Sequence, residues 1–261
     1  MNTALAILAH ALRMLIFDVR TTLHVIMPAL VLVLGCSLAI TILAPDMLAS
    51  LQETSGVTPS PAPQNAFSFL AFGSIGLLGY ALMAILWHRH VLLNGAERAE
   101  NLRPDIGIFL NYVWRAIVVG IAQMIAAVPI TLLVGVMGGA LLQNNPTGPL
   151  ATLLGLVAGI VFVWIAMRLS VVLPSAAIGR PMSMRESWQT TKPASAALWG
   201  VAVLLSGLNI SVFMLSSALL PETGTVTAMA QTFIYLLEGL VFVSVLTTLY
   251  GYLVEGRSLG Q

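Results

Sequence analysis

Apolar residues run along this chain in six blocks separated by short polar segments, at about residues 22–44, 67–93, 114–142, 150–173, 197–220 and 231–253. Each block is about 20 residues or longer, enough at a rise of about 1.5 Å per residue to cross roughly 30 Å of hydrocarbon. The pattern predicts six spanning helices. Residues 3–19 read differently. Leu5, Leu8, Leu12, Leu15 and Val19 recur at helical spacing, while His10, Arg13 and Arg20 gather on another face. That spacing predicts an amphipathic helix lying at the membrane interface ahead of the first span.

The separators fall into two kinds. Residues 45–66 hold Asp46, Glu53, four prolines and no Lys or Arg, and read as an outside loop, polyproline-like at Pro59, Pro61 and Pro63. Gln143–Pro149 is a short uncharged turn and Pro221–Ala230 a third outside loop. The other separators carry the cations: Trp87-His88-Arg89-His90 closes the second block, and Arg98, Arg103 and Arg115 follow. With both termini inside, all 11 Lys and Arg residues lie on the cytoplasmic side or at its membrane edge, the orientation that the positive-inside rule favours.

The densest group of cations lies in Met167–Pro193. Arg168 sits inside the fourth block; Arg180, Arg185 and Lys192 follow it. Ser183 and Glu186 have capping-box spacing, in which each side chain satisfies an N–H at a helix start. Pro181 precedes that start, Pro193 closes the short helix, and Trp188 suits the headgroup region. The stretch predicts a span that exits the membrane and turns into an elbow helix along the interface. The second helices of the three hairpins end comparably, in WHRHVLLNG, MRLSVVLPS and TLYGYLVEG. A threefold internal repeat and shared interfacial physics explain this equally well.

The fold class expected is therefore all-α: an integral membrane six-helix bundle of three helical hairpins, with an N-terminal amphipathic helix and cytoplasmic interfacial elbow helices. Composition agrees. The chain is 58% hydrophobic and 8% charged, where a soluble domain carries about a quarter charged residues. One cysteine, Cys36, allows no intramolecular disulfide and no Cys-based metal site. The N-terminus lacks the charged and apolar regions of a cleaved signal peptide. No cofactor, metal or nucleic-acid partner is expected.

Polar groups inside the spans are candidate chemistry, because they are costly there. Glu238 and Asn209 fall at similar depth in the sixth and fifth spans and could hydrogen-bond to each other. Such a pair fits either a proton or cation site or a neutral structural contact. Gln123 in the third span lies at about the depth of Arg168. Arg168 can snorkel to the headgroups and, with Arg180, Arg185 and Trp188, forms a candidate phospholipid-binding site. His88 and His90 point to nearly opposite sides of a helix, which argues against a shared metal and for interfacial anchoring. Gly135 with Gly139, and Gly155 with Gly159, form GxxxG pairs that predict close packing of the third and fourth helices near the outer surface. Gly73, Gly76 and Gly79 leave a groove on the second span.

Arg168 in the span, the Leu173-Pro174 exit and the run from Ser183 to Trp188 resemble a pattern in bacterial polytopic membrane proteins. These are the membrane domain fused to some glycerophosphodiester phosphodiesterases and the YciC-type inner-membrane proteins. WHRHVLL and Leu246–Leu259 add to the resemblance. It implies six helices with interfacial elbows in a bacterial inner membrane. It does not imply phosphodiesterase activity, since no soluble segment here could hold that catalytic domain. The resulting expectation is a non-enzymatic accessory or scaffolding protein that binds membrane phospholipid, another membrane protein or a second copy of itself. The alternatives are a small transporter or channel using Glu238 and Asn209, and, less favoured, a membrane-embedded lipid-acting enzyme.

Overall fold

The computed structural model describes residues 2–45, 47, 63–141, 149–221 and 224–259. The chain is all-helical across them, with α1 Asn2–Phe17, α2 Val19–Leu43, α3 Pro63–Leu92, α4 Gly95–Asn101 and α5 Ile106–Leu141. The second half holds α6 Pro149–Ser170, α7 Val172–Ala177, α8 Met184–Thr190, α9 Ser195–Leu219 and α10 Thr225–Leu253. Six of these, α2, α3, α5, α6, α9 and α10, are long and apolar enough to cross a membrane, which makes this a multi-pass membrane protein. Pro59, Pro61, most of 45–62 and the turn at 142–148 lie outside the described residues.

Local chemistry accounts for the helix ends. Asp18 accepts from the Thr21 amide at 3.0 Å and starts α2; the Thr21 hydroxyl first, then its amide, hold the Asp18 carboxyl below the usual range. Pro174 has no N–H for the carbonyl of Ser170 and crowds it, and α6 ends at that serine before α7 begins. Ser183 and Glu186 form the capping box that starts α8, with bonds of 3.1 and 3.3 Å. The short helix α8 ends at Thr190, ahead of Pro193 as expected, and Lys192–Ala194 is a 3-10 turn that feeds directly into α9. The sixth span starts earlier than its apolar run, because Thr225–Ala230, expected as loop, is the first part of α10.

The helix α10 is central, lying between two buried clusters. On one side Val245, Leu246 and Leu249 pack with residues of α1, α6 and α9. On the other Leu236, Leu240 and Val243 pack with Val25 and Ala29 of α2 and Met83 and Ile85 of α3. The most extensive helix pair is α2 with α3. A Cβ at Gly79 would stand 3.1 Å from Leu32 and Val33, so this glycine lets α2 approach closely.

Two expectations are corrected. The N-terminal helix is not a free-standing lead-in to the first span. It packs against both α9 and α10 through Ala4, Ile7 and Ala11, all buried, and the Ser244 hydroxyl donates to the Ala11 carbonyl at 2.9 Å. Leu5 is 48% exposed, while Leu8 and Leu15 are only partly buried. The third hairpin is correspondingly open: α9 and α10 are consecutive, yet α9 packs mainly on α6 and α1, and α10 on α1, α2 and α3.

Candidate functional site

The open third hairpin leaves a groove of about 620 Å³ walled by α6, α9 and α10. Its walls are apolar, from Leu156, Phe162, Val163, Leu205 and Phe242, and its lip includes the exposed Phe213 and Met214. Gly155 and Gly159 line it, and a Cβ on either would meet nothing within 4 Å. Their lack of side chains therefore widens a groove. The expected GxxxG packing is not formed: α5 and α6 do pack together, but Gly135 too stands in open space. Gly139 is outside the residues whose surroundings are described.

Glu238 and Asn209 are polar groups of this groove, together with Ser206 and Thr152. The Asn209 amide donates to Glu238 Oε2 at 3.1 Å. Glu238 Oε1 and Ser206 Oγ are buried and have no hydrogen-bond partner among the described residues. Glu238 is near the middle of α10, about 20 Å from either end at 1.5 Å per residue. An uncompensated polar atom is most costly at that depth, which makes this oxygen the candidate binding group of the groove. A second cavity of about 140 Å³ reaches the same carboxyl between α9 and α10, lined by Ser216, Ser217, Gln231 and Tyr235. Gln123 does not join them. Its amide donates to Ser170 Oγ at 3.0 Å and ties α5 to α6.

The cationic end has a structural explanation that the sequence does not show. Helix C-termini leave carbonyls without intrahelical donors, and arginines here supply them. Arg89 donates to the carbonyls of Asn101 and Ala177, the last residues of α4 and α7, both at 2.7 Å. Arg257 donates to Val91 and Leu92 at the end of α3, at 3.1 and 2.6 Å. Arg98 donates to Leu93 at 2.9 Å, and Arg115 to Met182 at 2.6 Å.

Arg168 belongs to this set, and its expected snorkelling to lipid is corrected. It is 5% exposed, donates to the Trp188 carbonyl at 2.7 Å and to Thr191 Oγ1 at 3.2 Å, and stacks 3.8 Å from the centroid of the Trp188 ring. The Ser187 hydroxyl answers by donating to the Arg168 carbonyl at 2.7 Å. Arg168 thus fastens α8 to α6, with Trp164 stacked between it and Trp199. Arg180 and Arg185 are exposed and are not drawn into that cluster. Replacing Arg168 with Gln is expected to destabilise the fold by about 3 kcal/mol, from two lost charged donors and the ring contact. Chemical unfolding in micelles, with protease cleavage appearing near residues 178–195, would check it.

His88 is likewise not an interfacial anchor: it is 0% exposed. The Thr247 hydroxyl donates to the Val243 carbonyl at 2.8 Å, so its oxygen accepts from His88 Nδ1–H at 2.8 Å. Nε2 is then a bare acceptor, buried without a partner among the described residues. Among those residues no group of three or more His, Cys, Asp or Glu is placed to hold a metal ion. Sequence reasoning missed Ser206 and the groove itself, because the walls come from three separate helices and no spacing along the chain marks them. No family model, curated protein or solved structure matches this chain, so the groove and its carboxyl are read from their own chemistry.

Proposed function

We propose that this is a non-enzymatic accessory protein of a membrane, binding a hydrophobic, membrane-dissolved molecule that carries a hydroxyl or amine. The observation that carries the reading is Glu238 Oε1, buried without a donor on an apolar groove open at its lip. The walls suit an alkyl or isoprenoid chain, and the carboxyl suits a hydrogen-bond donor at the depth where a charged headgroup would not settle. One acid, one amide and two hydroxyls orient a ligand more readily than they perform a reaction. In this reading the cationic end faces the cytoplasm, as its arginines support.

The test is a photo-crosslinking assay with hexadecanol bearing a diazirine, in phosphatidylcholine nanodiscs. Labelling is expected on α6 and α9 around Gly155 and Asn209. At Gly159 an added Cβ meets nothing within 4 Å, so Gly159→Leu places its side chain in the groove and is expected to cut labelling about tenfold with unchanged thermal stability. Equal labelling of both proteins would sink the reading.

The second cavity favours one other reading, a proton or cation route through Glu238 from the end of the hairpin bearing Ser216, Ser217 and Gln231. Proton entry into liposomes that Glu238→Gln removes is the result that would support it.

A further inference from the structure

The 11 cations divide by what their donors do. Arg89, Arg115, Arg168 and Arg257 are held by carbonyls, as described above. A different group surrounds a cavity of about 380 Å³ where the end of α1 and the start of α2 meet the end of α3 and α4. His10, Arg13, His90 and Arg98 line it, with Asp18. His10, Arg13 and His90 have no hydrogen-bond partner among the described residues, and Arg98 uses only Nε, on Leu93. The Asp18 carboxylate is engaged with the amide and hydroxyl of Thr21. Two guanidinium groups and two imidazoles therefore converge with donors to spare, against one acid that already has partners.

Apart from Thr22, the rest of the wall is largely apolar: Met14, Phe17, Trp87 and Val91. Phe17 is 81% exposed and follows Ile16 at 68%, so the rim offers bare hydrocarbon beside the cations. The cavity lies where α2 enters and α3 leaves the span, at the level of a membrane surface. A soluble anion has no use for that rim; a lipid phosphate with its acyl chains matches both halves. We propose that this cavity binds the phosphate of a phospholipid headgroup, with Arg13 and Arg98 as the charged donors and the two imidazoles as further donors. Burial and the charge of Arg13 hold the His10 imidazole below its ordinary range, and a bound phosphate would oppose that effect. This site is separate from the groove at Glu238 and does not depend on its ligand.

Native mass spectrometry of the full chain, released from micelles supplemented with phosphatidylglycerol, tests it. The wild type is expected to retain one lipid, and Arg13→Gln to retain it about tenfold less, the worth of one charged hydrogen bond. Arg13 makes no hydrogen bond among the described residues, so folding is expected to be intact; His10→Asn, a second variant, is expected to weaken retention as well. Lys192→Gln removes an exposed cation of the same end and is expected to retain lipid as the wild type does. Equal loss in Lys192→Gln would overturn the proposal in favour of general surface attraction. Displacement of the lipid by millimolar inorganic phosphate would overturn the lipid assignment in favour of free phosphate.

Discussion

Replacing Gly200 with alanine will force α1 away from α9. A Cβ at position 200 would stand 2.7 Å from the Cβ of Ala4, a separation that real side chains do not adopt. Neither atom can swing aside, because each is bonded directly to a helix backbone. The clash must therefore be relieved by moving a whole helix, and Ala4, Ile7 and Ala11 would lose burial in the cluster they share with Leu198, Val201 and Leu246. Overpacking of this kind costs about 1–3 kcal/mol, and the loss of the Ser244 bond to the Ala11 carbonyl adds about 1 kcal/mol. The expected result is a lowered thermal midpoint in micelles and new protease cleavage near residues 17–19. Gly207, about two turns farther along α9, has open space around its Cβ position, so Gly207→Ala is the control that should leave both unchanged. A Gly200→Ala protein as stable as the wild type would mean that α1 is not docked here.

That contact shows why part of the fold was legible and part was not. Six apolar blocks fixed the six spans, since length and hydropathy suffice to identify a helix in lipid. The Ser183–Glu186 box was legible because its chemistry is local. The docking face of α1 was not. In water an apolar stripe marks the buried side, but in a membrane lipid accepts leucine as readily as the core does. The stripe of leucines therefore pointed to no particular neighbour, while the side that packs, Ala4 and Ala11 against Gly200, is small and nearly silent in a periodicity reading. The glycine pairs carry the same ambiguity: Gly79 admits α2, whereas Gly155 and Gly159 leave a void. Likewise, Arg89 reaches carbonyls 12 and 88 residues away in sequence, which no local pattern encodes. The depth match of Asn209 with Glu238 was legible, because counting residues along two spans gives depth; the groove beside them was not.

Glu238→Gln is the substitution that separates the roles of that pair. The side chains have nearly the same shape, and a glutamine amide oxygen can still accept from the Asn209 amide. What changes is the other atom, where an oxygen without a donor becomes an NH₂ without an acceptor. A ligand amine would then face a donor where it had an acceptor, and would lose a charge-assisted bond worth about 1.5–3 kcal/mol, a loss of at least about tenfold. A hydroxyl both donates and accepts, so an alcohol can turn its oxygen to the new NH₂ and should lose no more than about fivefold. Labelling by diazirine-bearing hexadecylamine is thus expected to fall at least about tenfold in Glu238→Gln, and labelling by the hexadecanol probe much less. Thermal stability should be unchanged or higher, because a carboxyl that can carry charge is costly near the bilayer centre, by about 3 kcal/mol for a bare ionised acid. Binding that falls while stability holds identifies a residue kept for its ligand at a cost to the fold. Binding and stability that fall together would make the Asn209–Glu238 bond a structural clasp between the two arms of the open hairpin. Labelling that stays unchanged for both probes would mean that the groove, if occupied, does not present its ligand to Glu238.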